Sequence, residues 1–137
     1  MLTQKIINDA AYRIVGCAIE AHKQLDPGLL ESIYRDCLVE EIIASTGWDV
    51  QTEVAVPISY KGKALNHNLR LDILVDDLII VELKAVEQMI PLFEAQLLSY
   101  LKLTGKPKGL LINFNCENIV KNIIYTRSSV KRYFVKI

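Results

Sequence analysis

The stretch Leu69-Arg70-Leu71-Asp72-Ile73-Leu74-Val75-Asp76-Asp77-Leu78-Ile79-Ile80-Val81-Glu82-Leu83-Lys84 decides the fold. Two apolar, β-branched runs flank an acidic pair, the pattern of two antiparallel strands joined by a tight turn. The second run, Leu78-Ile79-Ile80-Val81, is apolar on both faces, as expected in the middle of a covered sheet. Period two places Leu69, Leu71, Ile73 and Val75 on one face and Arg70, Asp72 and Leu74 on the other. It also puts Glu82 and Lys84 on one face of the following strand. A carboxylate in mid-strand is disfavoured and costly to bury unpaired, so Asp72 needs Arg70 as a partner, or a metal.

Register tests the second of these. A two-residue turn at Asp76-Asp77 would pair Val75 with Leu78 and send Asp72 and Glu82 to opposite faces. A three-residue connection, Asp76-Asp77-Leu78, pairs Val75 with Ile79 and sets Asp72 opposite Glu82. In that register two carboxylates and a lysine form a site for a hard divalent cation and its water. Mg²⁺ suits it, since it takes oxygen ligands, one or two carboxylates with waters and substrate phosphate.

Outward from this stretch, apolar residues recur at three and four over residues 6–25, predicting a helix with Thr3 as its N-cap. Asp26-Pro27-Gly28 stops it, and Asp26 as cap with Pro27 at the first helical position predicts that a second helix starts there and runs to about Ala44, closed by Thr46-Gly47. Residues 50–60 and 65–75 read as a hairpin around Lys61-Gly62, and 78–85 as the third strand. A helix over 91–104 ends at Gly105 with Pro107 beyond it. Residues 109–114 read as a buried strand, and 119–137 as one or two weaker strands.

Two further positions stand out. Glu31 lies in the first turn of the second helix, on the side of Tyr34 and Leu38, where attraction to the helix N-terminus is the ordinary explanation. Gln96 and Tyr100, four apart, share one helical face beside Phe93 and Leu103. His22, near the end of the first helix, and His67, in or beside a strand, have no evident partner for histidine chemistry.

The 137 residues give room for one domain, residues 1–137. With 51% hydrophobic and 23% charged residues the chain can bury a core. Sixteen basic and sixteen acidic residues cancel, so the chain has no strong overall field and any polyanion site must be local. Lys61, Lys63, Arg70, Arg127, Lys131, Arg132 and Lys136 are the cations placed to meet phosphates. The three cysteines Cys17, Cys37 and Cys116 are spaced for neither a disulfide framework nor a thiolate zinc site. With no run of roughly 20 apolar residues, the expectation is a soluble, unprocessed cytoplasmic chain with no membrane partner.

Together these residues resemble the PD-(D/E)XK nuclease superfamily, over most of the chain. Asp72 and Glu82-Leu83-Lys84 correspond to its name-giving motif, with Leu71 where the motif has proline. Gln96-Leu97-Leu98-Ser99-Tyr100 matches the Q-x-x-x-Y motif of the RecB-like branch. Gly28-Leu29-Leu30-Glu31-Ser32-Ile33-Tyr34 matches the G-x-x-E-x-x-Y signature of a small stand-alone family in the same superfamily, which the 109–114 strand also resembles. The resemblance implies an α/β, restriction-endonuclease-like αβββαβ core, a mixed central sheet flanked by helices. It further implies that Asp72, Glu82 and the backbone carbonyl of Leu83 bind Mg²⁺ or Mn²⁺ and that Lys84 positions the attacking water. Glu31 would complete the acidic cluster, while Gln96 and Tyr100 hold the site geometry or contact the nucleic-acid backbone.

The implied function is metal-dependent phosphodiester hydrolysis of DNA in repair, recombination or defence. The alternative is a catalytically silent nucleic-acid or protein interaction module on the same fold. So small a domain cannot wrap a long duplex, which argues for a homodimer.

Overall fold

The computed structural model describes residues 2–128. Helix α1 (Gln4–Leu25) begins at Thr3, whose Oγ1 accepts from Ile6 N at 3.1 Å. Helix α2 spans Glu31–Thr46 and ends at Gly47 in the left-handed conformation. Strands β1 (Val50–Tyr60), β2 (Lys63–Val75) and β3 (Ile79–Lys84) follow, then helix α3 (Pro91–Thr104), closed by left-handed Gly105. Strand β4 (Lys108–Asn113), a 3₁₀ turn (Ile119–Asn122) and strand β5 (Ile123–Arg127) complete the order. Within the expected weak strands of 119–137, residues 119–128 thus form a 3₁₀ turn and one strand. The rest of that stretch, with Lys131, Arg132 and Lys136, lies outside the described residues.

The five strands lie in the order β1-β2-β3-β4-β5, antiparallel except for the parallel β3–β4 pair. Helix α3 makes the crossover that a parallel neighbour requires. On one face α1 and α2 pack Ile14, Ala18, Tyr34 and Leu38 against Ile73, Val75, Val81, Leu83 and Ile112. On the other, Leu97 and Leu101 of α3 cover Leu71, Leu74, Ile80 and Leu111. This is the mixed α/β architecture expected of a restriction-endonuclease-like fold. Gly109 lets α3 approach closely, because a Cβ there would lie 2.8 Å from Leu97 Cδ1 and from Thr126 Oγ1.

Two expectations need correction. The second helix starts at Glu31, with Leu30 at its N-cap, and Asp26 and Pro27 precede it. The buried Tyr34 hydroxyl donates to Asp26 O and accepts from Leu29 N, so the backbone ahead of the helix is used as a loop, turned at Gly28 with φ 108°. The Gly and Tyr of the G-x-x-E-x-x-Y pattern therefore shape this loop, with the Tyr34 ring stacked on Phe114 at 4.7 Å.

The second correction concerns β2. Leu71 packs on the α3 side, whereas Ile73 and Val75 pack on the α1–α2 side. A continuous pleat would keep all three on one face. The paired strand changes sides at the same place, Val50 lying against the first cluster and Val54 against the second. Between them Glu53 takes a left-handed φ of 49°, and the register Thr52↔Ile73, Val54↔Leu71 sets it opposite Asp72. The β1–β2 ribbon reverses its faces at this pair.

Candidate active site

The site forms where the β2–β3 ladder stops. Backbone pairing runs Val75↔Ile79, Leu74↔Ile80 and Ile73↔Val81, and the same register sets Asp72 opposite Glu82. The connection is Asp76-Asp77-Leu78. Asp76 and Asp77 both have φ 53°, a left-handed geometry that Asp tolerates, and Leu78 N donates to Val75 O at 2.9 Å. Beyond Ile73 side chains replace carbonyls: Asp72 N donates to Glu82 Oε1 at 3.2 Å, and Leu83 N donates to Asp72 Oδ2 at 2.8 Å. Each carboxyl is thus tied by one oxygen to the opposite strand, and the other is left for its neighbour or for a ligand.

Burial first, and then the Asp72 charge and a hydrogen bond shared with Asp72, push the Glu82 carboxyl up to about 9, while the Lys84 ammonium pulls the other way. Two carboxyls held together in low dielectric cannot both ionise cheaply without a cation. Helix α3 closes this edge. Half-buried Lys84 lies with Nζ 4.3 Å from the centroid of the Phe93 ring, a cation–π contact that limits its swing. The Tyr100 phenol is raised by burial and then by the charges of Glu82 and Asp72, and its ring packs against the α3-side cluster. Gln96, one turn earlier, is exposed.

Two assigned residues, Glu31 and Arg70, lie apart from this group, and Leu83 joins it through its backbone alone. Glu31, first residue of α2, is exposed. Among the described residues no third His, Cys, Asp or Glu joins Asp72 and Glu82 in a group able to hold a metal. Leu83 has its side chain buried in the α1–α2 cluster, so only its backbone is available to the site. Arg70 is not the partner of Asp72; it is exposed and lies 4.0 Å from Glu53, which Arg35 Nη1 also meets at 3.2 Å. His22 is buried, with Nε2 2.7 Å from Cys116 O, a structural contact.

One positioning residue escaped the sequence reading. Asn113, opposite Lys84 on β4, is buried. Its Oδ1 accepts from Val86 N and Asn115 N, each at 3.1 Å, and its Nδ2 donates to Val86 O at 3.0 Å. With Phe114 N donating to Lys84 O at 2.9 Å, it fixes the chain on leaving Lys84. An Asn at the end of the apolar run Gly109-Leu110-Leu111-Ile112 was the available signal, since a buried amide must be hydrogen-bonded.

A divalent cation fits this donor set. Hard carboxylate oxygens converge from adjacent strands, the protonation they force on Glu82 is what a cation would relieve, and the lysine stands beside them.

No curated protein matches the chain. The fold is similar to the solved structure of SSO0001, with a TM-score of 0.53 and 22% identity over 73% of this chain and 51% of that one. The chain spans about half the length of that structure. Among protein families, the model of the PD-(D/E)XK nuclease superfamily matches residues 8–126, a stretch that contains both carboxylates, the lysine and α3, and the chain belongs to that superfamily.

Proposed function

We propose that the chain is a divalent-metal-dependent phosphodiester hydrolase acting on DNA, of the G-x-x-E-x-x-Y type and with the Q-x-x-x-Y element on α3. The observation that carries this reading is the Asp72–Glu82 pair, side by side on adjacent strands with each carboxyl anchored to the opposite backbone. Asp72, Glu82 and the Leu83 carbonyl would hold Mg²⁺ or Mn²⁺. Such an ion supplies Lewis acidity at the phosphate and lowers the pKa of water. Lys84 orients the attacking water and offsets negative charge building on the phosphoryl oxygens. Phe93 beneath it limits the swing of the ammonium. Gln96 and Tyr100 hold the carboxyl geometry or meet the scissile strand, and Arg70 binds phosphate.

No described helix is long and apolar enough to cross a membrane. The free thiols of Cys17, Cys37 and Cys116 support placing the chain in the reducing cytoplasm, and the small size supports a homodimer.

The test is cleavage of single-stranded, duplex and branched DNA in Mg²⁺ or Mn²⁺ by the native protein, Asp72→Asn and Lys84→Ala. The expected result is cutting by the native protein, no cutting by Asp72→Asn, and a loss of about 10²–10³ in rate for Lys84→Ala. Cleavage that survives both substitutions overturns the assignment. Salt-sensitive binding without cleavage by the native protein identifies a silent interaction module instead.

A further inference from the structure

The β1–β2 hairpin extends well past the sheet that supports it. The two strands stay paired from Val50↔Val75 out to Tyr60↔Lys63, whereas β3 accompanies β2 only as far as Ile73↔Val81. Every residue from 59 to 68 is exposed, so the outer ribbon is open to solvent on both faces. At about 3.3 Å per residue, the stretch from Glu53 to Tyr60 projects roughly 20 Å from the carboxyl pair. A lone two-stranded hairpin is marginal in water, and this one has no covering layer among the described residues.

Its chemistry is one-sided. Residues 54–71 contain Lys61, Lys63 and Arg70 and no Asp or Glu, so in a chain of zero net charge the remainder is correspondingly acidic. Asn66, His67 and Asn68 add hydrogen-bonding groups on the exposed half of β2, and Lys61 Nζ lies over the Tyr60 ring at 5.5 Å. Edge strand β1 carries Pro57 and a register shift between Pro57 and Ser59, features that discourage pairing with another strand. A polyanion is the complementary partner. The major groove of a duplex admits a two-stranded β-ribbon, and roughly 20 Å of ribbon spans about six base pairs.

We propose that the β1–β2 arm grips duplex nucleic acid, lying along its groove so that the backbone reaches Asp72 and Glu82 at the arm's base. The proposal rests on the nuclease reading and names the partner surface that reading lacks. Because the ribbon reverses its faces at Glu53 and Asp72, the binding arm and the reacting carboxyls meet at one junction.

The test is fluorescence anisotropy with a labelled 20-base-pair duplex and the matching single strand, from 50 to 200 mM KCl, on native protein, Lys61→Ala/Lys63→Ala and Lys61→Glu/Lys63→Glu. Thermal unfolding checks that both variants fold. The alanine pair is expected to weaken duplex binding about tenfold at low salt and to lower the salt slope by about 2. The glutamate pair is expected to abolish binding. An unchanged Kd and slope, or a loss confined to the single strand, overturns the proposal. So does a native protein that binds no nucleic acid but sediments as a dimer that the variants dissociate. Failure of the nuclease reading is seen separately, as duplex bound through the arm but left uncut in Mg²⁺ or Mn²⁺.

Discussion

Substitution of Glu82 by Gln separates the cost of the carboxyl pair from its use. In the native state burial and the neighbouring Asp72 charge push the carboxyl up to about 9, against 4.5 for its ordinary value. Between those pH values the folded protein binds one more proton than the unfolded chain. Stability therefore falls as pH rises through this window, levels off above about 9, and is unaffected by this group below about 4.5. At pH 7 keeping Glu82 protonated costs roughly 3 kcal/mol, at about 1.4 kcal/mol per pH unit. Gln preserves an oxygen to accept from Asp72 N and has nothing to titrate. Metal-free Glu82→Gln is thus expected to be about 3 kcal/mol more stable than native at pH 7, an increase on the order of 10 °C in Tm for a chain of this size. The gap should shrink toward pH 5 and widen toward pH 9. Differential scanning calorimetry in EDTA from pH 5 to 9 measures it, and Mg²⁺ titration should raise the native Tm but not that of the variant. A gap that stays constant with pH, or a native protein that gains stability as pH rises from 5 to 9 while the variant does not, refutes the reasoning.

Two substitutions test the scaffold. Asn113→Ala leaves Val86 N and Val86 O without their partner and should cost about 1–3 kcal/mol in urea unfolding. It should lower the cleavage rate more than it changes DNA affinity, because it releases the chain just after Lys84. Tyr34→Phe keeps the stack on Phe114 but removes the hydroxyl that joins Asp26 O to Leu29 N. A loss of about 1–2 kcal/mol is expected, with faster hydrogen exchange confined to residues 26–30.

The strand–turn–strand unit was legible because its chemistry constrained its geometry. Asp76-Asp77 alone is compatible with a two-residue turn, and both residues do adopt the left-handed conformation of such a turn. The ladder nevertheless pairs Val75 with Ile79 and leaves Leu78 in the connection. Requiring Asp72 and Glu82 to share a face was enough to choose that register. The reversal at Glu53 was not legible, since period-two reasoning assumes an unbroken pleat and no glycine marks the left-handed position. Asp26-Pro27 misled for a different reason. It has the composition of a helix start, but its backbone is claimed by a tyrosine one turn inside the helix that follows. Asn113 was hidden among apolar neighbours because its three hydrogen bonds are to backbone groups that only the fold brings near.

The interruption at Asp72 also explains how the carboxyls can be oriented without a third acidic group beside them. Had backbone pairing continued past Ile73 and Val81, the two side chains would stand side by side with both oxygens of each free to rotate. Instead, one oxygen of each is fixed to an N–H of the opposite strand, so each carboxyl plane is set before any ligand arrives. The same break in the β2–β3 ladder frees β1 and β2 to leave the sheet as an arm. The protonation cost on Glu82 is then the stored price of that arrangement, released when a cation replaces the proton, so metal affinity should rise with pH up to about 9.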